Sequence, residues 1–370
     1  MPEPAARSLD QLIYILRYKL PSLQKKTIIA GFDGFIDTLV KPIRKYGTDG
    51  KPEFFNSIEE FGVFIADHSH RSTSIQYKIL EKKPGGNMPN FVRAMDALSL
   101  RTSAVGMLST ETGNIDPLFS TLGKQRYSYL AAGTATNLEF NDGKIFLSSA
   151  NLLSADMPDV SNDEKILSRI LKVFPGFPDA AAVADLTAFL NWSELPFSQD
   201  LWNDIYKHAF EDAGTDKERL VFFDLSDTST KKSSEIETLF SLIAKFSARC
   251  RTILSLNKNE ALDICVKTTG KKCSVPDAAE LLYRRLSIDE LIVHQHTESI
   301  ALTREGMTAV ECVFNENPKI STGAGDHFNA AYCLAALASF TVTEKLLFAN
   351  ACSGAYIAKG ASPGLDEIFC

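Results

Sequence analysis

The chain has 370 residues, 45% of them hydrophobic and 23% charged, which suits a globular protein with a sizeable core and excludes a disordered or fibrous one. Its formal net charge is −7 with no basic run to offset phosphate repulsion, so no nucleic-acid or anionic-membrane partner is expected. The seven cysteines, at 250, 265, 273, 312, 333, 352 and 370, form no CxxC pair, and Arg17 and Lys19 interrupt any signal-like apolar run near the start; this argues against a zinc site or a disulfide framework and for a cytoplasmic location.

In chain order, residues 8–20 read as an amphipathic helix capped by Ser8. "TIIAGF" (27–32) reads as a strand whose end, "GFDGFID", places Asp33 and Asp37 beyond it. Residues 38–83, with "KPIRKYGTDGKPEFF" and "STSIQYKILEKK", break the rhythm and read as strands projecting from the body. "KPGGNMPNFVRAMDAL" then opens a helix behind Gly85 and Gly86, with Asn87 and Asn90 in its first turn. A strand follows at 102–108, and a second projecting segment at 127–149 holds Asn-Asp-Gly between two alternating stretches, as a hairpin turn would.

Further strands are expected at "AAAVADL" (180–186), ending at Asp185, at "RLVFFDLS" (219–226), ending near Asp224, at "RTILSLN" (251–257) and at "ELIVHQH" (290–296). Helical patterns such as "IETLFSLIAKFSARC" separate them. Strands alternating with helices imply an α/β fold with a mostly parallel sheet covered on both faces. With no Pro-rich or Gly/Ser linker, the projecting strands read as a lid inserted into a single domain spanning 1–370.

In an open parallel sheet, ligands sit beyond the carboxyl ends of the strands, and this chain concentrates polar residues there. The paired glycines 85 and 86 let backbone approach a ligand, and Asn90 offers donor and acceptor to a hydroxyl-rich molecule. "STGAGDHFNAAY" (321–332) is sharper. Gly323, Ala324 and Gly325 leave N–H groups available at the mouth of a helix, where the dipole attracts a phosphoryl group, and Asp326 stands where it could accept a proton from the attacking nucleophile. His68 with His70, and His294 with His296, lack a third ligand, and "AAYCLAALASF" is too short to span a bilayer.

"GGNMPN", "NKNE" and "GAGD" occur in that order, followed by "FANACSGAYIAKGASPG". On these residues the chain resembles the ribokinase-like (PfkB) carbohydrate kinases from about residue 27 to 364. The resemblance implies ATP and Mg2+ as cofactors and a sugar or sugar-like hydroxyl as acceptor. It implies Asp326 as catalytic base and Gly323, Ala324 and Gly325 as anion hole. Asn257 and Glu260 would organise magnesium and phosphate through water, and Asn350 would lie at the adenine pocket. Gly85, Gly86 and Asn90, with Asp37 and Asp33, would hold the sugar.

Three departures from the family pattern stand out. "VHQHTES" replaces the usual Thr and glycines beside the nucleotide; Ile320 stands where relatives carry an Asp that helps hold potassium; and one extra residue separates Gly31 from Asp37, leaving open which Asp meets the sugar. A nucleoside kinase of the same fold, or a silent metabolite-binding relative, are the alternatives, and the exposed lid strands suggest a homodimer.

Overall fold

The computed structural model describes residues 7–149, 165–312, 315 and 318–368. The described strands are β1 (Ile28–Gly31), β2 (Phe35–Tyr46), β3 (Pro52–Phe54), β4 (Tyr77–Gly85), β5 (Thr102–Ser109), β6 (Gln125–Ala131), β7 (Gly133–Glu139), β8 (Lys144–Ser149), β9 (Leu186–Phe189), β10 (Asp216–Asp224), β11 (Cys250–Asn257), β12 (Glu290–His294), β13 (Glu298–Thr303) and β14 (Gly306–Glu311). Nine form one sheet in the order β14-β13-β12-β11-β10-β9-β1-β5-β6. It is parallel from β6 to β12, and β13 and β14 add an antiparallel edge. A smaller five-stranded sheet joins β2, β3, β4, β7 and β8.

The helices are α1 (Leu9–Leu23), α2 (Ile58–Asp67), α3 (Asn87–Ala97), α4 (Ile166–Val173), α5 (Phe177–Val183), α6 (Ser198–Ile205), α7 (Ser233–Ser247), α8 (Lys258–Thr269), α9 (Val275–Arg285), α10 (Ala324–Leu337) and α11 (Val342–Lys359). Ser8 caps α1 in a reciprocal box with Gln11, as its sequence predicts. The strands of the large sheet are apolar on both sides because helices cover both faces. Along β10, Val221 and Phe223 join the core under α6 and α7, while Leu220 and Phe222 join the core under α3 and α10. That period of two buries every side chain of the strand's inner part. On the first face Phe189, Trp202, Phe223 and Phe246 pack ring to ring, with Phe189 and Phe223 stacked at 5.2 Å.

"AAAVADL" departs from expectation. Its alanines, good helix formers, follow Pro178 in the first turn of α5, and the strand begins only at Leu186. Asp185 therefore lies at the start of β9, where it accepts from Lys26 Nζ at 2.7 Å and the Thr27 amide at 2.8 Å, on the far edge of the sheet from the other strand-end carboxylates. The segment at 127–149 splits: Gln125–Ala131 pairs with β5 in the large sheet, and β7 and β8 form the hairpin, closed by Phe140 N to Gly143 O at 2.9 Å. Helix α2, unforeseen, lays Phe61 and Phe64 against Phe55 and Phe140 to give the small sheet its own apolar cluster.

Candidate active site

The carboxyl ends of β1, β9, β10 and β11 face the N-termini of α3, α8 and α10, so backbone donors and acidic side chains meet at one place. Helix α3 begins at Gly86, whose φ of 95° favours glycine and which has no side chain to cap the helix. Asp33 does the capping from beyond β1. It accepts from the amides of Asn87 at 2.7 Å and Met88 at 2.8 Å, and from Asn191 Nδ2 at 2.9 Å. Fully enclosed, its carboxyl is pushed up to about 7 by burial against the pull of those donors.

Asp37, on β2, is buried but far less engaged: Asn137 hydrogen-bonds to it, and Lys83 and Lys144 partly offset the upward push of burial. A Cβ on Gly85 would overlap the Asp37 carboxylate, and one on Gly86 would overlap that of Asp33. The glycine pair is thus what lets both acids approach the same turn. Asp33 has its oxygens filled by protein donors, which leaves Asp37 as the acid better placed for a ligand hydroxyl.

Asp224 ends β10 and accepts from Ser226 N at 3.0 Å, Asn87 Nδ2 at 3.0 Å and Asn329 Nδ2 at 2.5 Å, while burial pushes its carboxyl to about 6. Asp326 sits in the first turn of α10, with Asn90 Nδ2 donating to it at 3.1 Å. Burial and then the neighbouring charges of Asp224 and Asp33 raise its carboxyl well above the ordinary range. Glu260 caps α8 in a reciprocal box with Asn257, and burial together with Asp224 raises it likewise. Burial raises all four acids, and neighbouring carboxylates raise Asp326 and Glu260 further, so a cation would lower the energy of the site. Among the described residues no group of three or more His, Cys, Asp or Glu side chains could ligate one metal. That donor set suits magnesium, which keeps several waters and leans on one or two carboxylates plus phosphate oxygens. Glu260 would organise it through water, since amide donors already occupy the oxygens of Glu260 and Asp224.

Gly323 caps α10 at φ 90°. Ala324 N turns back to Ser321 O at 3.1 Å, while the amides of Gly325 and Asp326 have no acceptor among the described residues. The turn is clamped from behind: Tyr356 Oη donates to Thr322 O at 2.8 Å, and His327 Nδ1 bonds Gly323 O at 2.7 Å. A carbonyl only accepts, so Nδ1 carries the proton and Nε2 accepts from Ser362 Oγ at 2.8 Å. With these two carbonyls held outward, the helix mouth presents N–H groups inward.

Behind Ala324 and Gly325 opens a cavity of about 950 Å³ whose wall includes Asn257, His294, His296, Phe328 and Asn350. The "VHQHTES" stretch forms part of that wall. His294, at the end of β12, lies over Phe328 at 5.1 Å, and burial pushes its imidazole down to about 4. Asn350, on α11, donates to Val310 O at 3.3 Å, and its buried Oδ1 has no donor among the described residues.

Every site residue expected from the sequence therefore falls at this one end of the sheet, in two groups. Asp33, Asp37, Gly85, Gly86 and Asn90 lie on the small-sheet side, and Asn257, Glu260 and Asn350 on the cavity side, with the 323–326 turn between them. Asn191, Asn329, His327, Tyr356 and Lys144 were missed. Asn191 follows the misplaced strand, Lys144 carries no local motif, and His327, Asn329 and Tyr356 lie inside "STGAGDHFNAAY" and "FANACSGAYIAKGASPG" with nothing in the spacing to mark them.

The chain matches the family described as prokaryotic ketohexokinase over residues 10–370. A ketohexokinase of Haloferax volcanii is 21% identical over 345 residues, covering 92% of this chain and 89% of that protein. Among solved structures, ribokinase of Arabidopsis thaliana complexed with ribose and ATP superposes with a TM-score of 0.60 at 16% identity, covering 93% of this chain and 97% of that one. Ribokinase of Thermotoga maritima gives 0.60 at 15%, covering 92% and 98%, and adenosine kinase of Sinorhizobium meliloti 0.57 at 15%, covering 90% and 94%. The fold is ribokinase-like, and the chain, a carbohydrate kinase, belongs to the prokaryotic ketohexokinase family.

Proposed function

We propose that this chain transfers the terminal phosphoryl group of ATP to a hydroxyl of a ketohexose. The observation that carries the reading is Asp326: a buried carboxyl with raised proton affinity at the mouth of α10, tied through Asn90 to the helix behind Gly85 and Gly86, and one residue from the open amide of Gly325. The sugar lies against Asp37, Gly85, Gly86 and Asn90. The nucleotide occupies the cavity on the other side, where the free Oδ1 of Asn350 accepts from a purine amino group.

In the transfer, the acceptor oxygen bonds to the γ-phosphorus, its proton passes to Asp326, and the bond to the β–γ bridging oxygen breaks to release ADP. The Asn90 amide fixes one oxygen of Asp326 so that the other faces the hydroxyl. The amides of Gly325 and Asp326 and the dipole of α10 receive the negative charge of the loose transition state. Magnesium, when bound, neutralises charge on the phosphates.

The whole chain acts as one catalytic domain, with the small sheet closing over the sugar as a lid. That sheet exposes Tyr77, Ile79, Leu80, Phe146 and Leu147, which supports pairing with a second copy. The enzyme works in the cytoplasm on small molecules, in keeping with six described cysteines that are all free, a net charge of −7, and no described helix long and apolar enough to cross a membrane.

ADP release measured against ketohexoses, aldoses and nucleosides, with and without magnesium, tests the reading. Turnover is expected with a ketohexose and only with magnesium. Turnover confined to nucleosides would make it a nucleoside kinase, and binding without turnover a silent relative.

A further inference from the structure

The hairpin of β7 and β8 ends in the directly paired residues Glu139 and Lys144. Lys144 leaves its own sheet. Its ammonium donates to Thr322 Oγ1 at 3.1 Å and is held from behind by Glu139 Oε1 at 3.0 Å. Thr322 directly precedes Gly323, so a charge borne by the small sheet reaches the turn that receives the phosphoryl group. The same ammonium pulls the Asp37 carboxyl down and presses Lys83 toward losing its proton, which places its field on the acceptor side of the site.

That side is electrostatically the harder one. The incoming phosphoryl group passes from the amides of α10 toward an acceptor flanked by Asp37 and Asp326, both of which repel it. A lysine there is a compact cation on a flexible stem, free to exchange a hydroxyl partner for a phosphate oxygen.

We propose that Lys144 is a catalytic residue of the transfer: with the lid closed, its ammonium leaves Thr322 Oγ1 and bonds an equatorial oxygen of the phosphoryl group in transit. It stays protonated throughout; the proton of the acceptor hydroxyl still goes to Asp326 and ADP still leaves with the bridging electron pair. Glu139 aims the stem. Because the charge arrives on the lid, stabilisation of the transition state comes only with closure, which links sugar binding to chemistry and withholds it from water. The proposal rests on the reading of Asp326 and its turn as the centre of a kinase.

Lys144→Met, Lys144→Arg and Asp326→Asn, with the wild type, separate the two layers. Each is assayed for kcat and for both KM values, and hydrogen exchange in 133–149 is followed with and without ketohexose. Lys144→Met is expected to lower kcat about 10²- to 10³-fold, with both KM values within about threefold and the sugar-induced slowing of exchange retained, and Lys144→Arg to recover part of the rate. A rise in KM at unchanged kcat, or loss of the exchange response in step with the rate, would make Lys144 a structural latch and overturn the proposal. Full activity of Asp326→Asn, or no turnover by the wild type, would overturn the kinase centre itself and this inference with it.

Discussion

The imidazole of His327 lies flat on the ring of Tyr356, centroids 3.6 Å apart and planes 17° from parallel. The two side chains take adjacent carbonyls, those of Gly323 and Thr322, and so act as one clamp on the turn at the mouth of α10. The neutral ring donates from Nδ1 and accepts at Nε2, and burial, which disfavours the charged form, pushes His327 down to about 4.

This has a pH signature. Between about pH 6.5 and 4 the unfolded chain binds a proton at His327 that the folded chain refuses, so stability from this group is fully present above 6.5 and is lost as pH falls. His327→Asn, which keeps a donor near Nδ1 and loses the Ser362 bond, is expected to cost about 1–2 kcal/mol at pH 7.5. The gap to wild type should narrow on acidification by at most about 1.4 kcal/mol per pH unit. Urea unfolding of both proteins at pH 7.5, 6 and 5 checks it, since carboxylates common to both cancel. A gap that widens toward acid would contradict a neutral buried ring.

Asp326→Asn is expected to bind sugar and nucleotide with little change and to lose about 10²- to 10⁴-fold in kcat, the range for removal of a general base whose surroundings stay intact. The new amide can turn its oxygen toward Asn90 Nδ2, so the local bond survives. Calorimetric titration alongside steady-state rates checks both halves.

Gly85→Ala drives a methyl into the Asp37 carboxylate. On the proposed reading Asp37 accepts from sugar hydroxyls; displacing it then removes about 1.5–3 kcal/mol of charge-assisted bonding, and KM for the sugar should rise roughly ten- to a hundredfold. Affinity for nucleotide, bound across the 323–326 turn, should hold. Equal loss of both would mean the substitution disturbs the helix rather than one subsite.

Potassium should matter little. Ile320 supplies no side-chain oxygen, and the carbonyls of Thr322 and Gly323 already accept from Tyr356 and His327. A hard cation needs several oxygens, and few remain here. Exchange of potassium for tetramethylammonium at constant ionic strength is expected to leave turnover unchanged; a marked fall would show that other oxygens complete a cation site.

Features with a local cause were legible in the sequence: Ser8 capping α1, the Asn-Asp-Gly turn between β7 and β8, the apolar runs of β1, β5 and β10 to β12, and the small residues before Asp326. The failure at "AAAVADL" has a definite reason, because a short apolar run serves strand or buried helix equally well and Pro178 with its alanines tipped the balance. That error hid Asn191, which lies two residues beyond the true end of β9, holds φ 60° and donates to Asp33. Lys144 was invisible for another reason: it reaches the site from a hairpin whose local pattern concerns only its own packing.

The polar bonds that assemble the site join partners very far apart along the chain: 54 residues from Asp33 to Asn87, 137 from Asn87 to Asp224, 105 from Asp224 to Asn329 and 236 from Asn90 to Asp326. Contacts of such range close late, after much loop entropy has been lost. During synthesis, a nascent chain that has emerged only through β10 holds Asp33 and Asp224 without the Asn329 amide, because α10 begins 100 residues later and has not yet been made. The polar network around Asp326 is therefore completed only where α10 packs against α3, by a bond between residues 236 positions apart.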